Sequence, residues 1–345
     1  MHKVRLKDVA AKAGVAINTA STILNRRPNS WASKETEERV FRAAADLGYK
    51  PNRAAQALRF GRFSAIALVI ADLHNPYYTA FADAMEEAAG ARGYDVLIET
   101  WRNDLAREKH ILDELSNRQV DGIAAFLSDP DGRRDYLAEQ ARQAVPFVVL
   151  STTGEPQFPV DAVLADFEVG LRDAVDALHE LGHRRFAFLN ALAEGQYSGR
   201  RLELFRRLLA EKGISESAFV SVDCNPTVAS ARAAAFALLG KSESKRPTAM
   251  IALNDLAAIG TLRAAVEHGL KVPKDLSVVG VDDIPLAQFL PVSLSTIAQP
   301  ISEMARRAVD LLVTRIESKE KKPHLDQAVF PTAFVKRESI GPVPK

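Results

Sequence analysis

The stretch "LKDVAAKAGVAINTASTILN", residues 6–25, decides how the chain begins. Leu6, Val9, Ala10 and Ala13 recur at helical spacing, and Gly14 ends that run as glycine does at a helix C-terminus. A second short helix follows over 15–25, with Val15, Ala20, Ile23 and Leu24 turned inward. Two short helices joined by a glycine-containing turn make a helix-turn-helix. A third helix is expected to start at Ser33, an N-cap followed by Glu35, Glu37 and Glu38, and to stop at Gly48. Its inward face is read as Val40, Phe41, Ala44 and Leu47.

Such a trio can be a structural bundle and nothing more. Ile17, Asn18, Ser21, Thr22 and Asn25, the outward positions of the second helix, argue for a contact surface. Side chains of this kind approach base edges closely, and an Asn pairs bidentately with adenine. Thr19 and Ser21 suit phosphate contacts. Charge points the same way. Residues 1–62 carry 13 Lys/Arg against 5 Asp/Glu, whereas the remainder carries 32 against 39. A basic head on an acidic body suggests a polyanionic partner, double-stranded DNA.

From residue 64 on, strand and helix patterns alternate. Strands are expected at 65–71, 94–99, 121–127 and 146–150, with helices at 77–92, 104–117 and 133–143 between them. The series restarts with strands at 161–165, 185–190, 218–223, 249–253 and 276–281 and helices at 168–181, 199–212, 228–239 and 255–267. This pattern predicts two α/β lobes, each a parallel doubly wound sheet, with a ligand crevice at the carboxyl ends of the strands. The fold class expected is therefore a small all-α head on a two-lobed α/β core.

Several segments closely resemble the lactose-repressor/purine-repressor (LacI) family of bacterial transcription regulators. They are the opening stretch, "ADLGYKPNRAAQAL" (45–58), "ADLHNPYY" (71–78), "GRRLELF" (199–205), "NDLAAIGTLRA" (254–264), "VPKDLSVVGVDDIPLA" (272–287) and "LSTIAQPISEMARRAVDLL" (294–312). The resemblance implies a DNA-binding domain over 1–49 and a hinge over 50–63. It also implies an N-terminal lobe of 64–162 with 292–324 and a C-terminal lobe of 163–291 with 325–345. It assigns DNA contact to Leu6, Ile17, Asn18, Thr19, Ser21, Thr22 and Asn25, and to Arg53, Ala57 and Leu58 in the hinge, where Leu58 would wedge a minor-groove base step. Effector contact falls on Tyr77, Tyr78, Trp101, Ser151, Arg201, Cys224, Asn254, Asp282 and Gln299, of which Cys224 reads equally well as a small buried thiol. Ala16 and Thr22 depart from the family pattern, so the family's usual operator is not implied, and Leu204 replaces the usual glycine of the 199–205 motif.

The implied function is an effector-controlled repressor, released from a palindromic operator by a small polar ligand such as a sugar. A corepressor response to a nucleobase-like ligand is the alternative. A solute-binding protein would share the lobes, but it needs a signal peptide and no DNA-binding head, and Met1–Leu6 contains no apolar segment. A homodimer is expected because "RESIGPVPK" closes the sequence without a heptad tail. No cofactor, metal or membrane partner is expected. "HELGH" (179–183) matches a zinc-protease pattern, but Gly182 falls where the helix ends and separates the two histidines. "GKS" (240–242) lacks the preceding glycine of a phosphate loop. With no catalytic set found, an enzyme is not expected. The single cysteine permits no intrachain disulfide and fits a cytoplasmic protein.

Overall fold

The computed structural model describes residues 4–24, 32–49, 62–115, 120–130, 132–143, 145–151, 158–191, 196–318 and 324–344. Asn25, Arg53, Ala57, Leu58 and most of the expected hinge lie outside the described residues. The chain divides into two compact units, 1–63 and 64–345.

Three helices form the first unit: α1 (Leu6–Ala13), α2 (Ile17–Leu24) and α3 (Lys34–Leu47). Gly14 and Gly48 both adopt φ near +60°, the left-handed conformation that closes a helix without a Cβ penalty. Ser33 Oγ accepts from the Thr36 amide at 3.3 Å and caps α3. Val9, Ala10, Ala13, Ala20, Ile23, Val40, Ala43 and Ala44 form the core, with Leu6, Val15, Leu24, Leu47 and Tyr49 packed at its edge.

Two expectations fail here. Phe41 is 42 % exposed and Ala43 takes the inward place, because Val40, Ala43, Ala44 and Leu47 share the row that faces α1 and α2. Ser21 is only 7 % exposed. It sits on the same buried arc of α2 as Ala20 and Ile23, so it is not on the outward face.

The second unit holds two six-stranded sheets. The first contains β1 (Ala65–Ile70), β2 (Asp95–Thr100), β3 (Gly122–Phe126), β4 (Phe147–Ser151), β5 (Asp161–Asp166) and β11 (Gln327–Pro331). Their order is β11-β5-β4-β3-β1-β2, parallel throughout. The second contains β6 (Phe186–Ala191), β7 (Phe219–Cys224), β8 (Ala249–Ala252), β9 (Ser277–Asp282), β10 (Ser295–Ala298) and β12 (Ala333–Val335). Its order is β12-β10-β9-β8-β6-β7, and only β12 runs antiparallel to its neighbour. Helices α4 (Pro76–Ala91), α5 (Leu105–Leu115) and α6 (Arg134–Gln140) connect the strands of the first lobe. Helices α7 (Glu168–Glu180), α8 (Gln196–Glu211), α9 (Val228–Leu239) and α10 (Asp255–Glu267) do so in the second. Helix α11 (Ile301–Glu317) returns to the first sheet and buries Met304, Ala308, Leu311 and Leu312.

Sheet membership corrects the expected lobe limits. Strand 161–166 pairs with β4 and β11 in the first sheet rather than opening the second lobe at 163. A buried ion pair fixes it there: Arg315 of α11 reaches Asp161 by two hydrogen bonds of 2.6 and 2.8 Å. Strand 295–298 belongs to the second sheet, although the span 292–324 was expected in the first lobe, and strand 327–331 belongs to the first. The chain therefore crosses between lobes three times, after β5, β10 and β11. Alternation in the sequence announces β1 to β9 but not β10, β11 and β12, nor the sheet edge that each strand joins.

Gly280, inside β9, allows the closest approach in the second lobe. A Cβ there would lie 2.0 Å from Asp255 Oδ1 and 3.0 Å from Leu294 Cδ2. Gly280→Ala is expected to destabilise the protein by about 1–3 kcal/mol through overpacking, read as a lowered unfolding midpoint in urea.

Candidate functional site

A cavity of about 350 Å³ opens between the lobes. It lies at the carboxyl ends of β1 and β3 in one sheet and of β6 and β8 in the other, where each strand order reverses. Helices pass to opposite faces at such a point, which leaves a crevice for a ligand.

Aromatic rings form much of its wall. Tyr77 and Tyr78 sit edge-on to Phe126 at 5.8 and 5.4 Å, and Trp101 Nε1 donates to the Phe126 carbonyl at 3.1 Å. Phe188 lines the cavity from the second lobe. Helix termini aim the polar groups. Asp72 Oδ1 accepts from the His74 and Asn75 amides at 2.6 and 2.9 Å and so folds the turn after β1. Asn75 then caps α4, its Oδ1 accepting from Tyr77 N at 3.0 Å, with Pro76 in the first turn. Asn254 caps α10 in the same way, accepting from Ala257 N at 2.8 Å.

Arg201, on α8, donates to the Leu253 carbonyl at 2.8 Å, and its guanidinium lies 4.3 Å from the centre of the Phe167 ring. Asp282 ends β9 with φ +111°, followed by Asp283 at +56°. Non-glycine residues hold such backbone only when their surroundings enforce it, and they cluster at ligand sites. Its Oδ1 accepts from Gln299 Nε2 at 2.8 Å and its Oδ2 from Asn75 Nδ2 at 3.4 Å. Burial, with the negative Asp255 nearby, pushes the Asp282 carboxyl up to about 8, against the opposing pull of Arg201.

Seven expected effector residues thus line one cavity: Tyr77, Tyr78, Trp101, Arg201, Asn254, Asp282 and Gln299. Two do not. Ser151 is fully buried at the end of β4. Cys224 is buried among aliphatic side chains of the second lobe, and that burial pushes its thiol up to about 11. Asn75, Asn103, Phe126, Ser128 and Asn190 line the cavity and were not singled out. Asn75 had a legible signal, an Asn directly before a Pro at a helix start. His183, of the zinc-like pattern, is buried beyond the end of α7, with Thr248 Oγ1 and the Gly341 carbonyl each 2.9 Å from its ring nitrogens.

On the first unit, Ile17 is 51 % exposed and Asn18 is also exposed on α2, with Thr19 half-buried beside them. Thr22 directs its hydroxyl back to the Asn18 carbonyl at 2.9 Å.

Residues 5–52 match the model of the lacI family of bacterial regulatory proteins, and residues 175–340 that of a periplasmic binding protein-like domain. The chain is 32 % identical over 345 residues to the HTH-type transcriptional regulator DegA of Bacillus subtilis, covering 99 % of each chain. The chain belongs to the lacI family. It superposes on a lac repressor dimer bound to operator and the anti-inducer ONPF with a TM-score of 0.84 and 28 % identity, over 98 % of this chain and 99 % of that one. A lacI-family regulator of Enterococcus faecium with bound ribose matches with a TM-score of 0.70 and 27 % identity, over 81 % and 99 %. As a lacI-family protein, the chain is an effector-controlled, DNA-binding transcriptional repressor. Among the described residues no helix is long and apolar enough to cross a membrane.

Proposed function

We propose that this lacI-family repressor binds a palindromic operator as a homodimer and is released from it by a small, uncharged, hydroxyl-rich ligand such as a sugar. The observation that carries the reading is the interlobe cavity, with aromatic walls and amide and carboxylate groups at its rim. Its size is at the lower end of ligand pockets, and apolar walls with a few aimed polar groups suit a sugar ring. Asp282 accepts ligand hydroxyls, and Arg201 and Asn254 address ring or hydroxyl oxygens. Ribose in the Enterococcus faecium relative supports the ligand class. The operator complex of the lac repressor dimer supports the partner and the assembly. Its place of action is then the cytoplasm, with the DNA.

On the DNA side, Ile17 offers an apolar contact to a thymine methyl and Asn18 a bidentate one to adenine. Asn18→Ala is expected to weaken operator binding by about 1–3 kcal/mol and to relax preference at one base pair per half-site. Fluorescence anisotropy on operators varied at each position reads both effects.

The test of the whole reading titrates the protein on labelled palindromes drawn from its own genome, across a panel of sugars and nucleosides. Sugar-dependent release supports it. Ligand-dependent tightening would establish a corepressor response instead. Binding that ignores both ligand and palindrome, with no salt dependence, would defeat it.

A further inference from the structure

Asp282 is a group of the second lobe held by the first. Its Oδ1 accepts from Gln299, which lies in the second crossing between lobes, and its Oδ2 accepts from Asn75, the cap of α4 in the first lobe. Tyr77, also on α4, donates its hydroxyl to Gln299 Oε1 at 3.2 Å. The Asn75 amide cannot be turned round without loss, because its Oδ1 is committed to Tyr77 N and leaves Nδ2 facing the carboxylate. Asn75 and Asp282 are each only 7 % exposed. Water therefore competes weakly for the bond, and in so dry a setting a hydrogen bond is electrostatically stronger than in water. At 3.4 Å it is nonetheless the longer of the two bonds to Asp282, and so the first to be surrendered.

We infer that Asn75 is a positioning residue that latches the two lobes across the cavity through Asp282, and that an effector must displace it to reach the same carboxyl group. The inference rests on reading the cavity as the effector site. When a ligand hydroxyl takes Oδ2, the tie between lobes passes from protein to ligand. The ligand-free pose and the ligand-bound pose then differ in a specific contact, which is what a population shift requires.

The test needs no effector, so its failure is distinct from failure of the ligand assignment. Asn75→Asp keeps the oxygen that caps α4 but sets a carboxylate against Asp282. Asp282→Asn removes the acceptor charge, and Asn tolerates the positive φ. The double variant restores the bond with donor and acceptor exchanged. Hydrogen exchange is followed by mass spectrometry on the full chain at about pH 9, where Asp282 is ionised, over peptides spanning 71–78 and 298–301. Each single variant is expected to exchange about tenfold faster there, and the pair to return to within about twofold of the starting protein. Asn75→Ser keeps the cap without facing charges but is too short to reach Asp282; it is expected to exchange about threefold or more faster in the same peptides. A double variant no slower than the faster single, or Asn75→Ser exchanging at the starting rate, would overturn the latch.

Discussion

Asp282→Ala is expected to weaken effector binding by about 2–5 kcal/mol, roughly 30- to 4,000-fold, while operator binding in the absence of effector falls by no more than about tenfold, the worth of the lost interlobe bond. The magnitude follows from burial. In water a lost hydroxyl–carboxylate bond is replaced by solvent at little net cost. Here the carboxylate is enclosed by Asn75, Gln299 and the aromatic wall, and ligand hydroxyls buried against an alanine would go unpaired. Arg201 cannot substitute, because a guanidinium only donates hydrogen bonds and offers the orphaned hydroxyls no acceptor. Calorimetry with the sugar that releases the operator measures the loss, and anisotropy on the operator alone serves as the folding control. Equal loss of both activities would place Asp282 in the structural core. Effector binding unchanged by the substitution would remove it from the site.

Much of this architecture was readable in the sequence, for identifiable reasons. Helices over 228–239 and 255–267 carry clear boundary signals, Thr227 and Asn254 as caps among them, and both occur at their expected limits. The buried strands read as short apolar runs bounded by polar turns. The sheet that claims each strand was not readable, because pairing is decided by contacts far apart in the chain. Strand 161–166 goes to the first lobe through Arg315, 154 residues away from Asp161 in sequence. At the site, the residues that matched family motifs were found on one cavity with two exceptions. Ser151 and Cys224 both end strands, but their side chains are buried within a lobe and do not reach the cavity. Asn75 was missed for a different reason. Its cap is a local property, whereas its second bond spans 207 positions. Phe41 and Ser21 show the limit of helical periodicity in so small a unit: a core built largely of alanine leaves little hydrophobic contrast between faces.

Effector affinity is expected to rise with pH from 6 to 8, by up to about tenfold per unit, and to level off above 8. Asp282 is pushed up to about 8 by burial and by Asp255, itself raised to about 7, while Arg201, Asn75 and Gln299 pull it down too weakly to offset them. The carboxyl therefore holds its proton through much of the neutral range, whereas a ligand that donates hydroxyls to it favours the ionised form. Binding then releases a proton, and a reaction that releases a proton is favoured as pH rises. The sign for folding is opposite. An unfolded Asp loses its proton near about 4, so between there and 8 the folded state binds more protons, and ligand-free stability falls as pH increases. Calorimetry in two buffers of different ionisation enthalpy counts the proton directly. Asp255→Asn is the decisive control. Its Oδ1 can still accept from the Ile284 amide and its Nδ2 can donate to Thr296 Oγ1, the two partners of the native carboxylate. Without the neighbouring charge, Asp282 ionises at lower pH, and the rise in affinity moves to lower pH with it, although burial still holds the carboxyl up. An affinity that is flat or falling between pH 6 and 8 would mean that the ligand meets Asp282 in its protonated form, as an acceptor of the carboxyl proton and not as a donor to a carboxylate.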